Sequence, residues 1–473
     1  MRAIPRPLGA PVRPVRRPPL RHGGGLALVG VAALLLAGCG ESGPTLPESA
    51  EYGANPTLPE PKASWLPTIK VADAVGWRDG AAPRPAEGFA VTAFARDLKH
   101  PRWLYELPNG DVLVAESDAP PKPEGTSGGL RGWVQGLFMK KAGSQTESAN
   151  RITLLRDADG DGVAETKTVF LSNLFSPFGM ALIGDQLYVA NADAVMRFPY
   201  TEGATGITAP GTRLAALPAG RNHHWTKSLL ASADGARLYV GVGSNSNAAE
   251  NGMEEEENRA AVLEIDVASG ASRVFAGGLR NPVGIDWNPA NGELWVSVNE
   301  RDEIGNHLVP DYMTSVKEGG FYGWPYSYYG SNVDDRVKPP RPELVARAIR
   351  PDYALGAHTA SLGFTFVDNP AFGARFQGGA IIGQHGSWNR EPPAGYRVIF
   401  VPFANGRPSG MPEELLTGFL DGEGNAQGRP VGVLVDRRGG LLVADDVGNA
   451  VWRVRGQTPA ATAPAGPAPS SGG

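Results

Sequence analysis

The sequence predicts an all-β fold, a six-bladed β-propeller, from three observations. One pattern, a short apolar segment followed by a turn and a second β-rich segment, returns six times between residues 87 and 456. A Pro-x-Gly tripeptide stands at the same place in three of these repeats, at 177–179, 282–284 and 430–432. No convincing 3.6-residue apolar periodicity runs through the region. A two-sheet β-sandwich is the alternative, but sandwiches do not usually repeat Pro-x-Gly at one fixed place.

Each repeat is predicted to be a pair of antiparallel strands. The second segments alternate apolar and small or polar residues, as in DVLVAE, QLYVAN and RLYVGV, and then ELWVSV, GAIIGQ and GLLVAD. Turn sequences such as those at 108–110 and 289–292 separate the two segments. Hairpins of this kind with irregular spacing are typical of propeller blades. The six first strands are predicted to begin at Pro101, Pro177, Trp225, Pro282, Ala360 and Pro430.

The start of the chain carries the features of an export signal. Residues 1–38 combine an arginine-rich beginning with an apolar run over 26–37 that is too short to span a bilayer comfortably, so they are predicted to be a lipoprotein signal peptide. Leu-Ala-Gly-Cys at 36–39 resembles a bacterial lipobox, which implies acyl chains on Cys39. An ordinary signal peptide with a chance cysteine is the alternative. We expect a lipid-anchored protein on the periplasmic side of a bacterial membrane, in the outer membrane.

The remaining segments divide the chain around one catalytic propeller over residues 87–456. Residues 39–86 are rich in Pro, Ala, Gly and Glu and are predicted to be a flexible tether between membrane and domain. Residues 457–473 are predicted to be a disordered tail because they contain mainly Pro, Ala, Gly and Ser.

Charge and cysteine content exclude several classes of function. The net charge is −5, and removal of the arginine-rich signal makes it more negative, so nucleic acid is not expected as a partner. Cys39 is the only cysteine of the chain, which excludes an intramolecular disulfide and a covalently attached haem of the Cys-x-x-Cys-His kind.

Polar residues recur at equivalent positions of the predicted blades. The start of a first strand and the end of a second strand lie on the same face of a propeller, so these residues are expected around one central opening. Clustering several Arg and His side chains costs electrostatic free energy, which favours a binding site at this opening. The alternative is that these residues belong to ordinary polar loops at the strand ends. The residues are 222–224, 280–281, 358–359 and 428–429 before first strands, and 116–118, 191, 244–245, 299–302, 384–385 and 445–446 after second strands.

Four motifs give a more specific indication. They are NHHWTK at 222–227, LRNPVG at 279–284, GFYGWP at 320–325 and GSWNR at 386–390. With these motifs the sequence resembles the soluble PQQ-dependent sugar dehydrogenase family over about residues 88–456, and its nearest branch is similar to L-sorbosone dehydrogenases. The resemblance implies bound pyrroloquinoline quinone (PQQ) and Ca²⁺, and oxidation of a sugar or sugar-derived aldehyde or alcohol. An external acceptor such as a cytochrome or a quinone would take the electrons.

The resemblance also implies roles for single residues. His224 matches the general base, with His223 as the close alternative, and a base with a pKa near 7 suits the removal of a hydroxyl proton. Arg280 and Asn281 match an Arg-Asn pair at the cofactor carbonyls, where a guanidinium stabilises the charge that builds on the quinone oxygen. Residues expected to bind PQQ and its three carboxylates also include Arg390, Arg429 and His358.

Two calcium sites are expected. The turn over 299–303 matches the calcium-binding turn of the family, which implies that the backbone carbonyls of Glu300 and Arg301 hold a Ca²⁺ that also touches PQQ. The second candidate is a shortened EF-hand-like loop with acids at its first, third, fifth and ninth positions and glycine at the sixth; a solvated acidic turn is the alternative. Its acids are Asp157, Asp159, Asp161 and Glu165.

Other interpretations of the sequence stay open. A non-catalytic propeller could bind a ligand or partner on the same face. A calcium-dependent lactonase or phosphotriesterase would hold its catalytic metal with Glu, Asn and Asp side chains, whereas an Arg- and His-rich rim fits an anionic cofactor better. The run of four glutamates at 254–257 is interpreted as a solvated loop, with a docking site for a basic cytochrome as the alternative.

Overall fold

A computed structural model describes residues 46–62, 70–78, 80–123 and 146–457, which belong to one compact unit. The predicted signal peptide, Cys39 and nearly all of the predicted C-terminal tail lie outside the described residues. Within the described ranges, helices are short, and none is long and apolar enough to cross a membrane.

Six antiparallel sheets confirm the predicted six-bladed β-propeller. Blades one to three each contain four consecutive strands. Blade one comprises β4 (Pro101–Glu106), β5 (Val112–Glu116), β6 (Arg151–Arg156) and β7 (Thr166–Leu171). Blade two comprises β8 (Met180–Ile183), β9 (Gln186–Ala190), β10 (Ala194–Pro199) and β11 (Thr212–Ala216). Blade three comprises β12 (Lys227–Ala231), β13 (Arg237–Val242), β14 (Ala261–Asp266) and β15 (Ser272–Gly277).

Blades four to six recruit strands from the N-terminal part of the chain. Blade four comprises β16 (Pro282–Trp287), β17 (Leu294–Val298), β18 (Pro310–Ser315), β21 (Tyr353–Ala357) and β1 (Tyr52–Gly53). Blade five comprises β22 (Ser361–Phe366), β23 (Ala380–Gln384), β24 (Arg397–Val401), β27 (Glu413–Thr417) and β2 (Arg84–Pro85). Blade six comprises β28 (Pro430–Val435), β29 (Leu441–Asp445), β30 (Ala450–Gly456) and β3 (Phe89–Ala95).

Short elements fill the loops between these strands. Two small hairpins pair β19 (Ser327–Tyr328) with β20 (Asn332–Val333) and β25 (Phe403–Ala404) with β26 (Arg407–Pro408). One α-helical turn, α1, covers Pro342–Val345, and 3-10 turns cover Glu48–Ala50, Met253–Glu256, Pro370–Phe372 and Ala374–Phe376.

The repeated Pro-x-Gly has a packing reason. Its glycine lies on or just before the innermost strand of a blade, where adjacent blades approach each other around the axis. A Cβ on Gly179 would lie 2.3 Å from the backbone nitrogen of Leu229 in the next blade. A Cβ on Gly284 would lie 2.3 Å from Cβ of Phe364. Glycine therefore allows the close approach of inner strands that closes the ring.

The N-terminal segment differs from its prediction as a flexible tether. Within residues 39–86, β1 extends blade four and β2 extends blade five, while β3, inside the predicted propeller, pairs antiparallel with β30 and closes the ring. Tyr52 is 5% exposed and packs in the core of blades four and five, and the neighbouring carboxylate of Glu51 is buried as well. Over its described residues, the segment 39–86 is thus part of the propeller, because it contributes buried side chains and sheet hydrogen bonds that its composition did not reveal.

Candidate active site

The predicted base His224 is oriented by the end of the neighbouring strand. It lies just before β12, and its Nδ1 is 2.9 Å from the carbonyl oxygen of Ser244, which follows β13. A carbonyl only accepts, so Nδ1 carries the proton and Nε2 keeps a free lone pair. The ring of His223 is exposed and stands edge-on to that of His224, with the ring centroids 4.6 Å apart. The fold therefore fixes the His224 ring with its Nδ1 protonated, while His223 is exposed.

The electrostatic surroundings of His224 differ from those expected of a base that titrates near neutral pH. Burial lowers the pKa of His224 well below its usual value, and the positive charge of Arg280 and the ring of His223 lower it further. The imidazole is consequently neutral across the physiological pH range. It is competent as a proton acceptor without first losing a proton.

Arg280 is held rigidly at the start of blade four. Its side chain is 2% exposed, and its Nε donates to the carbonyl oxygen of Asn247 at 3.1 Å. One Nη donates to the side-chain oxygen of Asn247 at 3.0 Å, and the other donates to the carbonyl oxygen of Glu300 at 2.7 Å. The adjacent Asn281 keeps a buried side-chain oxygen without a hydrogen-bond partner among the described residues.

The predicted calcium turn is tied together by guanidinium groups. The carbonyl oxygen of Glu300 already accepts from Arg280, while the side chain of Arg301 pairs with Asp334 and donates to the carbonyl oxygen of Asp302 at 2.8 Å. Burial raises the pKa of the Glu300 carboxyl to about 8, so it is protonated near neutral pH. A cation at this turn would have to share the Glu300 carbonyl with Arg280.

His358 lies in a buried ion pair beside the same turn. Its Nδ1 is 3.0 Å from a carboxylate oxygen of Asp302, and its Nε2 is 2.8 Å from the carbonyl oxygen of Gly305. Burial alone would lower the pKa of His358, but the hydrogen bond and the charge of Asp302 raise it above its usual value. Asn389 donates to the same carboxylate oxygen at 3.0 Å. This network joins blades four and five.

Arg390 is paired with a buried carboxylate, a contact that the sequence did not predict. Its two Nη atoms donate to the two carboxylate oxygens of Glu51 at 2.6 and 2.7 Å. Glu51 also accepts from the backbone nitrogen of Ala357 at 3.1 Å and lies 2.6 Å from Nδ1 of His307. The bidentate pair neutralises Arg390 and fixes it towards the N-terminal segment, whose place in the fold the sequence did not indicate.

Arg429 is a buried guanidinium without a carboxylate partner within 4 Å among the described residues. One Nη donates to the hydroxyl of Tyr396 at 3.0 Å and the other to the carbonyl oxygen of Gly386 at 3.4 Å, while Nε has no partner in the described ranges. The guanidinium stands 4.9 Å from the centre of the Tyr396 ring. A buried cation with an unused N–H requires an anion or an acceptor nearby.

A second charged group lies on the same face at blades one, five and six. Asp446 accepts from Arg102 and from Nε2 of His385, which is 2.9 Å away, and Nε2 of His100 is 3.6 Å from the same oxygen. Burial would raise the pKa of Asp446, but His385, His100 and Arg102 hold it below its usual value. Arg102 and His100 were not predicted as site residues, although His100 precedes the innermost strand of its blade, as His224 and His358 do in theirs.

Several polar atoms of this face are buried and form no hydrogen bond with the described residues. They belong to blades one, four, five and six, and they include both donors and acceptors. Counting only the described residues, the atoms at the mouth are His100 Nε2, Arg102 Nε, Asn281 Oδ1, Asn389 Oδ1, Arg429 Nε and Asp446 Oδ1.

The structure brings the acids of the second predicted calcium loop together. Their carboxylate oxygens lie within 4.8 Å of one another in the set Asp157, Asp159, Asp161 and Glu165. One oxygen of Asp157 already faces Arg453 at 2.9 Å and Arg438 at 3.2 Å. Three of the four carboxylates are exposed, and only Asp157 is buried.

A comparison with protein-family profiles decides the relationship. The profile described as TrAA12-like matches residues 144–319 and 344–457, more than half of the chain. The chain belongs to the TrAA12-like family. The two matched ranges include His224, Arg280, His358 and Arg429.

Curated relatives of this TrAA12-like protein are distant. An uncharacterized protein of Borreliella burgdorferi is 30% identical over 220 residues, which are 46% of this chain and 57% of the relative. A "pyrroloquinoline quinone-dependent pyranose dehydrogenase" of Coprinopsis cinerea is 26% identical over 261 residues, which are 46% of this chain and 35% of the relative. The matches thus span about half of the first relative and about a third of the second.

Solved structures share the fold. The PQQ domain of the Coprinopsis cinerea pyranose dehydrogenase in its holo form has a TM-score of 0.62 at 21% identity, covering 82% of this chain and all of that one. A calcium structure of the Trichoderma reesei AA12 enzyme has a TM-score of 0.64 at 18% identity, covering 82% of this chain and 99% of that one. At these identities the likeness shows the propeller fold of the TrAA12-like chain and no more.

Proposed function

We propose that this protein is a quinoprotein that uses PQQ to oxidise a sugar or a sugar-derived aldehyde or alcohol. The observation that carries the proposal is the buried guanidinium of Arg429 with its unused Nε, on the same face as the neutral base His224 and the fixed Arg280. Membership of the TrAA12-like family and the named activity of the Coprinopsis relative support it.

The residues present fit an anionic quinone with three carboxylates. Arg429 and Arg102 each have a buried Nε–H without an acceptor among the described residues, and N–H donors of charged groups form the strongest hydrogen bonds with carboxylates. Asn281 keeps a buried oxygen beside Arg280 for a donor or a bridging water. Arg429, Arg280 and Asn281 would hold the quinone, whereas Arg390 is neutralised by Glu51 and would act only through the protein.

His224 acts as the base in this proposal. PQQ, when bound, supplies an acceptor for a hydride from the substrate carbon. Nε2 of His224 accepts the hydroxyl proton of the substrate, while Nδ1 keeps its hydrogen bond to Ser244 and the ring its orientation. Arg280 stabilises negative charge that develops beside it, because its contacts with Asn247 and Glu300 hold it in place beforehand.

Calcium is proposed as the second cofactor. The carbonyl oxygens of Glu300 and Arg301 and the acids at 157–165 are the candidate ligands, and oxygen ligands are those that Ca²⁺ prefers. The calcium structure of the Trichoderma reesei relative supports this part of the proposal.

The substrate, the electron acceptor and the location are proposed from the sequence. L-sorbosone is the specific substrate hypothesis, and an external cytochrome or quinone would receive the electrons. The predicted signal peptide and Cys39 support a lipid anchor on the periplasmic side of a bacterial membrane.

One experiment tests the proposal. The purified protein is titrated with PQQ with and without Ca²⁺, and the loaded protein is then offered aldoses, L-sorbosone and simple alcohols with an artificial dye acceptor. We expect saturable PQQ binding and PQQ-dependent dye reduction that His224→Ala abolishes and His223→Ala retains. Quinone-independent ester hydrolysis would instead support the lactonase interpretation, and ligand binding without turnover would support a non-catalytic propeller.

A further inference from the structure

Arg259 lies behind the turn that carries the two histidines. The side chain is buried, and none of its nitrogens forms an ion pair within 4 Å among the described residues. One Nη donates to the carbonyl oxygen of Gly243 at 3.2 Å, and the other donates at 2.8 Å to the carbonyl oxygen of Ala219 and to the side-chain oxygen of Asn222. All three acceptors border the segment before β12 that contains His224.

The contact between Arg259 and Gly243 also affects Ser244, the hydrogen-bond partner of His224. Gly243 packs so closely that a Cβ there would lie 2.4 Å from Cβ of His224. The next residue, Ser244, accepts from Nδ1 of His224, and its backbone nitrogen donates to the carbonyl oxygen of Arg280 at 2.8 Å. A shift of the Gly243 carbonyl would therefore move both the base and the arginine beside it.

Glu256 holds the following residues of the same loop. Although it belongs to the acidic run at 254–257, it is 5% exposed and accepts from the backbone nitrogen of Asn245 at 2.7 Å and from the hydroxyl of Ser246. The side chains at 254, 255 and 257 are exposed. The run is thus a solvated loop with one inward carboxylate, and the loop that it supports contains Asn247, the partner of Arg280.

We propose that Arg259 and Glu256 are positioning residues that clamp the loop 243–247 and thereby orient His224 and Arg280 for the oxidation. The catalytic part of this inference, the effect on the oxidation, rests on the proposed function. Its structural part, the orientation and the electrostatic environment of His224, exists in the protein without any cofactor.

Arg259 also affects the charge balance at the base. The charged or titratable groups that act on His224 are Arg280, His223 and Arg259, and all three lower its pKa. Lys122, Glu250 and Asp302 act on the adjacent histidine ring. Removal of the Arg259 charge therefore raises the pKa of His224, whereas a lysine at this position keeps the charge and loses the fork of donors.

The test compares Arg259→Gln, Arg259→Lys and Glu256→Gln with two controls. Arg273→Gln removes an exposed arginine of the same blade, and Glu257→Gln removes an exposed acid of the same run. The first readout is a histidine NMR titration of the cofactor-free protein, with the His224 signal assigned from His224→Gln. The second readout is kcat and KM of the PQQ-loaded protein as a function of pH.

We expect Arg259→Gln to raise the pKa of His224 and to move the acid limb of kcat to higher pH, with a fall in kcat of about 10- to 100-fold and little change in KM. Arg259→Lys and Glu256→Gln should lower kcat with a smaller movement of that limb, and the controls should match the wild type. An unchanged His224 titration in Arg259→Gln, together with kcat within about twofold of wild type in all three variants, would overturn the inference.

Failures of the two proposals are distinguishable. If neither the wild type nor any variant binds PQQ, the proposed function fails. The NMR titration of the cofactor-free protein still decides whether Arg259 affects the pKa of His224. If Arg259→Gln does not fold, Arg259→Lys and Glu256→Gln carry the test through kcat, and wild-type values in both would refute the clamp.

Discussion

Glu51→Gln tests whether the N-terminal segment is part of the folded propeller. The Glu51 carboxylate is buried and receives two hydrogen bonds from Arg390, one from the backbone of Ala357 and one contact from His307. Glutamine keeps the shape but leaves the guanidinium of Arg390 buried without its counter-ion. Loss of one partner of a buried ion pair costs about 3–5 kcal/mol, so the free energy of unfolding should fall by roughly that amount.

The assay is urea unfolding followed by tryptophan fluorescence, with the midpoint and slope compared between variants. Glu48→Gln is the matched control, because Glu48 lies three residues earlier, is 62% exposed and pairs with Arg397, which keeps a second carboxylate partner in Glu414. Its loss should cost at most about 1 kcal/mol. Equal midpoints for the two variants would show that Glu51 is not held against blades four and five, and the description of the segment as part of the propeller would then fail.

The pH dependence gives an independent check of the same pair. Burial raises the pKa of Glu51, but the hydrogen bonds and charge of Arg390 outweigh this and lower it below its ordinary value of 4.5. A lowered carboxyl pKa contributes stability that is present above the ordinary value and is lost as pH falls through the folded-state value. The difference between wild type and Glu51→Gln should therefore be full at pH 7 and shrink in acid.

Three further predictions concern the site. Gly243→Ala should displace His224 and lower the rate of dye reduction by at least about tenfold, which parallel kinetics and urea unfolding would separate from a general loss of stability. Arg429→Gln should weaken PQQ binding by roughly 10- to 100-fold in an absorbance titration, since a hydrogen bond to a charged group contributes about 1.5–3 kcal/mol; an unchanged affinity would remove Arg429 from the cofactor site. Asp302→Asn should destabilise the protein most below pH 6.5, because the raised pKa of His358 contributes stability that is lost as pH rises through the folded-state value; a cost independent of pH would show that His358 is not charged.

The blade pattern was predictable because local and global constraints coincide in it. β4, β16 and β28 begin at the predicted residues Pro101, Pro282 and Pro430. Gly284 is required because the neighbouring inner strand approaches closely, so a tertiary contact determines the residue type at a fixed place in the repeat. The strands β1 and β2 were not predictable in this way, because they contain only two residues each and pair with strands hundreds of residues away.

Candidate site residues could be proposed from the sequence where they lie directly before the innermost strand of a blade. His224, Arg280, His358 and Arg429 precede innermost strands, and the structure places all of them on one face of the propeller. The protonation state of His224 was not predictable, because burial and Arg280 determine it together. The pairing of Arg390 with Glu51 was not predictable either, because the motif contains only Arg390 and its partner lies 339 positions away in the sequence.

The distribution of charge around the mouth follows from these distant contacts. Glu51 neutralises Arg390 on the side of blades four and five. On the side of blade six, Trp77 donates to a carboxylate oxygen of Asp445 at 2.6 Å, and the other oxygen of Asp445 accepts from the backbone nitrogen of Arg429 at 2.8 Å. The same N-terminal segment therefore pairs one motif arginine with a carboxylate and contacts Asp445, which supports the backbone of Arg429, an arginine without a carboxylate partner in the described ranges. Of these two motif arginines, Arg390 is therefore paired with a carboxylate of the N-terminal segment, and this difference arises from a part of the chain outside both motifs.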